Sequence, residues 1–281
     1  MKILYLDCFA GISGDMTLGA FIDLGVSKEK LKTELEKLNL DGYRLEISKK
    51  SKNGIMATDV DVVLTNTHSH EEHCHNHNHE EHTHDHNHTH LHEEHHHDHN
   101  HTHEEHHHRS YKDIKDIILN SDLDDKVKKL SIDIFENVAI AEAKIHGKTI
   151  DEVHFHEVGA IDSIVDIVGA SICINEIHVD KIISSPIVTG SGLVKCDHGV
   201  IPVPAPATLE IIKNNNVVMT TGNFKKEMVT PTGAAIVATI ASEYGEIPQG
   251  TPLRIGYGSG KRDMDVANVL RLIIIEDKKK Q

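Results

Sequence analysis

A stretch that can build no hydrophobic core divides this chain in two. Between Thr67 and Arg109 almost every second residue is histidine, and 21 of the 26 histidines lie between His68 and His108. Leu91 is the only aliphatic residue in that run. With so little apolar surface to bury, the run cannot offset the entropy of ordering its backbone, and it is expected to be disordered without metal. The fold must therefore be assembled from an N-terminal α/β segment, residues 1–66, and a main α/β domain, residues 110–276. The run at 67–109 is an insertion between them, and 277–281 is a short basic tail.

The tract has a chemistry of its own. Neutral imidazole is a good ligand for nickel, copper, zinc and cobalt. The one-residue spacing of His82, His84, His86 and His88, and of His95, His97 and His99, lets neighbouring rings reach one ion. Ten interleaved acids, from Glu71 to Glu105, add counter-charge and oxygen donors. Being internal, long and mixed with acids, the run does not read as an expression tag. Nothing in it fixes one geometry, whereas catalysis needs a rigid shell. Metal collection fits better than a catalytic centre.

The rest of the composition narrows the class. The formal net charge of the 281 residues is −15, and the ten tract acids carry much of it. A mildly acidic remainder argues against a nucleic-acid footprint, which needs basic patches. Cys8, Cys74, Cys173 and Cys196 have no paired spacing, which fits a reducing compartment better than a disulfide framework. The opening Met1–Asp7 does not read as a signal peptide, and no apolar run reaches membrane-spanning length. A cytoplasmic protein without membrane contact is expected.

Periodicity gives the elements. Ile3–Asp7 reads as a buried strand, followed by a glycine loop and a helix that opens at Gly14 and closes at Gly25. A second helix spans Lys28 to Leu38. Tyr43–Ser48 and Ile55–Leu64 are strands joined at Asn53-Gly54, with Asp59 and Asp61 facing away from Val60 and Val62. After the tract, Ser110 caps one helix and a longer one runs from about Asp124 to Ile145. A third begins near Glu157, with Asp162 and Asp166 on one face and Ile161, Ile164, Val165 and Val168 on the other. Val179–Ile183 and Val217–Thr220 are strands, and Ser184–Val203 is a strand–turn–strand unit. Helices follow at Ala205–Lys213 and after Thr230, and Leu253–Gly258 with Asn268–Glu276 forms a closing hairpin. The expected class is α/β (α+β), with mixed sheets and flanking helices.

Candidate site residues sit at the breaks in this pattern. His154 and His156 point to one face if extended, and Glu157 follows them, which suits a divalent metal or acid/base work. Helix capping by Glu157 beside surface histidines is the alternative. Acids such as Asp162 and Asp166 on a nearly apolar helix need a partner. Cys196 and His198 share a face at a turn. The loop with Gly11, Ser13, Gly14 and Asp15, and the helix start at Thr232-Gly233, are candidate phosphate cradles. A plain tight turn also explains the glycines.

Five segments in order carry a resemblance: Asp7-Cys8-Phe9-Ala10-Gly11-Ile12-Ser13-Gly14-Asp15-Met16, His154 to Ser163, His198-Gly199 with Pro202 to Thr208, Thr230 to Ala235, and Gly256 to Gly260 with Asn268 to Arg271. Together they resemble the LarC nickel-insertion family of lactate racemase cofactor maturation, N-terminal part. The resemblance implies a nickel chelatase, a lyase of the cyclometallase type. It would insert Ni²⁺ into pyridinium-3,5-bisthiocarboxylic acid mononucleotide to give the nickel-pincer nucleotide. It implies use of CTP with Mn²⁺ or Mg²⁺, a homo-oligomer, and a lactate racemase-type acceptor enzyme. It also implies a C-terminal half, bearing the CTP site, that is encoded separately or by a frameshift. His154, His156 and His198 are then candidate nickel ligands or bases, with Glu157 and Asp7 as oxygen partners. Two rival readings remain: a non-catalytic nickel store or metallochaperone, and a zinc-dependent hydrolase built on His154, His156 and Glu157.

Overall fold

Leu4 and Leu6 alternate with Ile3 and Tyr5, and all four are buried, so the first strand must be covered on both faces. The computed structural model describes residues 1–65, 109–153, 155, 160–196 and 199–277. The histidine tract, the 154–159 segment apart from Phe155, residues 197–198 and the tail after 277 lie outside them. In chain order the elements are β1 (Lys2–Asp7), α1 (Gly14–Leu24), α2 (Lys28–Glu36), β2 (Tyr43–Lys52), β3 (Ile55–Leu64), α3 (Tyr111–Leu119), α4 (Asp125–His146) and α5 (Ile161–Ile177). They continue with β4 (Lys181–Ser184), β5 (Ile187–Thr189), β6 (Leu193–Cys196), β7 (Gly199–Pro202), α6 (Pro206–Asn214), β8 (Met219–Thr221), α7 (Pro231–Ile240), β9 (Glu243–Tyr244), β10 (Thr251–Ser259) and β11 (Val269–Glu276).

Seven strands form one mixed sheet in the order β2-β3-β10-β11-β1-β4-β9. β1 lies antiparallel to β11, with Asp7 opposite Arg271, and parallel to β4. Strands from before the tract thus interleave with strands from after it. The expected segments 1–66 and 110–276 build one sheet and one core between them. The two faces are unequal. Leu4, Leu6, Leu270, Leu272 and Ile274 join the large helix-side core, while Ile3, Tyr5, Ile183, Ile273 and Ile275 make a small cluster on the other face.

Helix α1 crosses β10 at very close range. A Cβ at Gly258 would lie 1.8 Å from the Met16 carbonyl oxygen, and one at Gly256 would lie 2.3 Å from that of Ala20. Only glycine permits this approach, which sets the start of α1 beside the end of β10. Further out on the same face, α4 packs on α5, α6 and α7. Burial of Phe21, Phe135, Ile134 and Ile164 in this layer contributes roughly 1.5–3 kcal/mol each.

Local signals set the ends of these elements. Asn53 and Gly54 both adopt positive φ, and they turn β2 into β3. Ser110 and Asp113 make a reciprocal capping box on α3. Gly25 and Gly147 close α1 and α4 in the left-handed conformation.

Two expectations change and one strand is new. β2 runs on to Lys52, because β3 pairs along its whole length. The strand–turn–strand unit at 184–203 resolves into β5, which pairs with the distant β8, and a separate β6–β7 ladder. β9 is a two-residue strand fixed by its pairing with β4. Each of these depends on long-range partners that local periodicity does not reveal.

Candidate functional site

The starts of α1, α5 and α7 converge on one side of β3, facing the turn after β10. A cleft of about 390 Å³ opens there, lined among others by Ser13, Asp15, Asp61, Asp162, Asp166, Thr230 and Lys261. An adjoining hollow of about 170 Å³ shares Ser13, Asp15, Thr230 and Lys261. The larger volume lies within the roughly 300–1,000 Å³ typical of small-molecule sites.

Backbone pairing explains the opening. β3 and β10 bridge at a single position, Thr58 opposite Gly258. Beyond it, the Val60 carbonyl accepts from the Lys261 ammonium instead, at 2.7 Å. Lys261 Nζ also lies 2.5 Å from Asp61 Oδ1, 3.1 Å from Asp59 Oδ1 and 3.7 Å from Asp15 Oδ2. Asp59 is sealed from solvent and takes a second cation, Lys50, at 2.7 Å from Oδ2. Burial works to raise its carboxyl pKa, but Lys50 and Lys261 overcome that and hold it below the ordinary value. Burial likewise works against the Lys261 charge, and its hydrogen bond to Asp61 and the charges of Asp15 and Asp59 raise its pKa despite it.

Asp166 is placed differently. Its Oδ1 is enclosed and has no hydrogen-bond partner among the described residues. Its carboxyl lies against the start of α1, where a Cβ on Gly14 would sit 2.3 Å from Oδ2. Burial, then the charges of Asp15 and Asp162, push the Asp166 pKa well above the ordinary range, with Lys261 opposing. Asp15 is also raised by burial, against a hydrogen bond from Ser13 Oγ, the charge of Lys261 and the Met16 N–H. Two carboxyls with different partners thus face one cleft.

The sequence candidates divide. Ser13, Gly14, Asp15 and Thr232 line the cleft. Asp7 does not; Arg271, its cross-strand partner, donates from Nε to Asp7 Oδ2 at 2.9 Å. The N–H of Gly11 donates to Cys8, and that of Gly233 to the Thr230 hydroxyl at 3.1 Å, so both are engaged internally. A Cβ on Gly11 would meet the Met228 carbonyl and one on Gly233 that of Ile12. These two glycines let the loop after β1 and the start of α7 pack on each other. His154, His156, Glu157, His198 and the tract histidines, including His82, His84, His86, His88, His95, His97 and His99, lie outside the described residues. Among the described residues, no group of three or more His, Cys, Asp or Glu is arranged to hold a metal ion. No described helix is long and apolar enough to cross a membrane.

Sequence reasoning missed Lys261, Asp59 and Asp61 as members of the site. The available signals were two acids at strand spacing and a lone lysine in a glycine-rich turn. Neither names the other without the topology.

Comparison with known proteins gives the family. The model described as "Nickel insertion protein" matches residues 4–281. A protein of Clostridium kluyveri is 50% identical over 282 residues, covering 100% of this chain and 64% of the relative. One of Clostridium acetobutylicum is 51% identical over 278 residues, covering 99% of this chain and 64% of the relative. One of Geobacillus kaustophilus is 46% identical over 278 residues, covering 99% and 60%. All three are named pyridinium-3,5-bisthiocarboxylic acid mononucleotide nickel insertion protein. The chain spans 60% to 64% of the length of these relatives. No solved structure matches. With all five motif segments inside the matched range, the chain belongs to the nickel insertion protein family.

Proposed function

We propose that this chain inserts Ni²⁺ into pyridinium-3,5-bisthiocarboxylic acid mononucleotide to form a nickel-pincer nucleotide. The observation that carries this reading is identity of 46% to 51% with three proteins of that name across nearly the whole chain. The cleft suits such a substrate in size. Nickel is a substrate of the reaction. His154, His156 and His198 are the proposed nickel ligands, with Glu157 as an oxygen partner. The tract from His68 to His108 collects the ion.

The resemblance also implies CTP with Mn²⁺ or Mg²⁺. The described cleft does not fit a triphosphate: Asp15, Asp61, Asp162 and Asp166 outnumber Lys261 there, and the N–H groups of Gly11 and Gly233 are engaged. No step is therefore routed through the nucleotide, and its site belongs with the proposed C-terminal half. A lyase of the cyclometallase type, a homo-oligomeric state and a lactate racemase-type acceptor complete the proposal.

Deleting His68–His108 and assaying formation of the nickel nucleotide tests the reading. The deleted protein should insert nickel at the full rate when Ni²⁺ is abundant and lose activity when Ni²⁺ is scarce. Loss of all activity at every nickel level would instead favour a nickel store. His154→Ala and His156→Ala should each abolish insertion; full activity in both would remove these residues from the site.

A further inference from the structure

Nickel insertion releases a proton, and the described cleft contains a group able to take it. In a pyridinium ring with thiocarboxylates at positions 3 and 5, a nickel ion held by both sulfurs faces carbon 4. Forming a carbon–nickel bond there breaks the C4–H bond. Its electron pair goes to Ni²⁺, the proton must go to a base, and no net oxidation occurs.

Asp15 and Asp166 face the cleft from two helices, α1 and α5. Gly14 lacks the Cβ that would push the Asp166 carboxyl away from the start of α1. Asp15 has a hydroxyl donor in Ser13 and an ammonium, Lys261, at 3.7 Å. Asp166 Oδ1 is enclosed and unpartnered among the described residues. The charged groups around the pair are Asp162 on α5, Lys261 from the turn after β10, Asp61 and Asp59 on β3 with Lys50 behind them on β2, and Glu227 ahead of α7. Lys261 is largely committed to Asp59 and Asp61. One cation therefore serves more carboxyls than it can neutralise.

We propose that Asp15 is the base that accepts the hydrogen displaced by nickel, with the Asp166 carboxyl packed against the start of its helix. The proposal rests on the nickel-insertion reading above. Asp166, whose Oδ1 is enclosed and unpartnered among the described residues, keeps its proton. Asp15, held by Ser13 and Lys261, carries the negative charge into the cleft and receives the ring proton. Burial raises both carboxyls, which brings the base closer to the working pH than an ordinary aspartate.

The test is single-turnover insertion by the full chain together with the C-terminal part of one of its longer relatives, given Ni²⁺, the pyridinium mononucleotide, CTP and Mg²⁺, followed across pH. Asp15→Asn should slow insertion by about 10²–10⁴-fold while binding of unmetallated substrate is retained. Asp166→Asn is isosteric and should keep the fold, as checked by its melting midpoint. It should slow insertion far less than Asp15→Asn and leave the inflection of the rate profile in place, because an amide carries the same charge toward Asp15 as the protonated carboxyl it replaces. A wild-type rate in Asp15→Asn, or a loss in Asp166→Asn as large as in Asp15→Asn, would overturn the assignment while leaving nickel insertion standing. Failure of the wild type itself to insert nickel would overturn the reading and the assignment together.

Discussion

Two aspartates in this molecule end in opposite states: Asp59, sealed from solvent, and Asp166, half-buried with its Oδ1 enclosed. Asp59 on β3 meets Lys50 on one oxygen and Lys261 on the other. Asp166 on α5 meets no donor at Oδ1 among the described residues and has Asp15 and Asp162 as neighbours. Burial alone opposes charge in both, so partners decide. The first carboxyl is held charged and ties a sparsely paired part of the sheet to the turn after β10. The second is pushed toward its neutral form beside an open cleft. A charge matched from both sides is a fastening. A carboxyl left unmatched costs stability, and groups of that kind cluster at reactive sites.

Removing the shared cation should have the largest effect on stability. Lys261→Met leaves Asp15, Asp59 and Asp61 around a neutral side chain. A fully buried broken pair costs roughly 3–5 kcal/mol, but the Lys261 side chain is 40% exposed and partly screened. A loss of about 2 kcal/mol is expected in urea denaturation at neutral pH.

Next in size, Asp59→Asn and Asp166→Asn should move stability in opposite directions. Asp59→Asn should cost about 1–2 kcal/mol, since an amide cannot satisfy two ammonium groups. Asp166→Asn should raise the melting midpoint at neutral pH. The pH dependence follows from linkage. The Asp59 carboxyl is depressed, so its stabilisation is complete above the unfolded-state pKa and is lost as pH falls through the folded value. The Asp166 carboxyl is raised. Between the ordinary value and the raised one, the unfolded chain has released its proton and the native chain has not. Stability therefore falls as pH rises across that window, and Asp166→Asn should flatten this slope. Midpoints measured across pH for both variants check the signs. Equal slopes would dissolve the contrast.

The smallest effect should come from Lys50→Met. Its side chain is 47% exposed, and Lys261 still serves Asp59, so under about 1 kcal/mol is expected by the same measurement.

Much of the fold was legible because its signals are local. Alternation marked β1, Asn53-Gly54 marked a hairpin, and Ser110 and Gly25 marked helix ends. The order of the strands was not legible, because the pairing of β1 with β11 and β4 joins residues more than 170 positions apart. The site divided along the same line. Asp15 stood out beside its glycine loop, and Asp166 stood out as an acid on an apolar helix. Asp59 and Asp61 read as the outward face of a hairpin strand, because a period of two says which residues share a face and not what covers it. Lys261 read as a turn residue, because nothing in its neighbourhood names the carboxylates 200 residues earlier that hold it.

The contrast between the two aspartates can be observed directly. Infrared difference spectra of the full chain, recorded at neutral pH for wild type, Asp166→Asn and Asp59→Asn, report the carbonyl band of a protonated carboxylic acid. We expect that band in the wild type, its loss in Asp166→Asn, and its persistence in Asp59→Asn. A wild type with no such band, or a band removed by Asp59→Asn, would contradict the account.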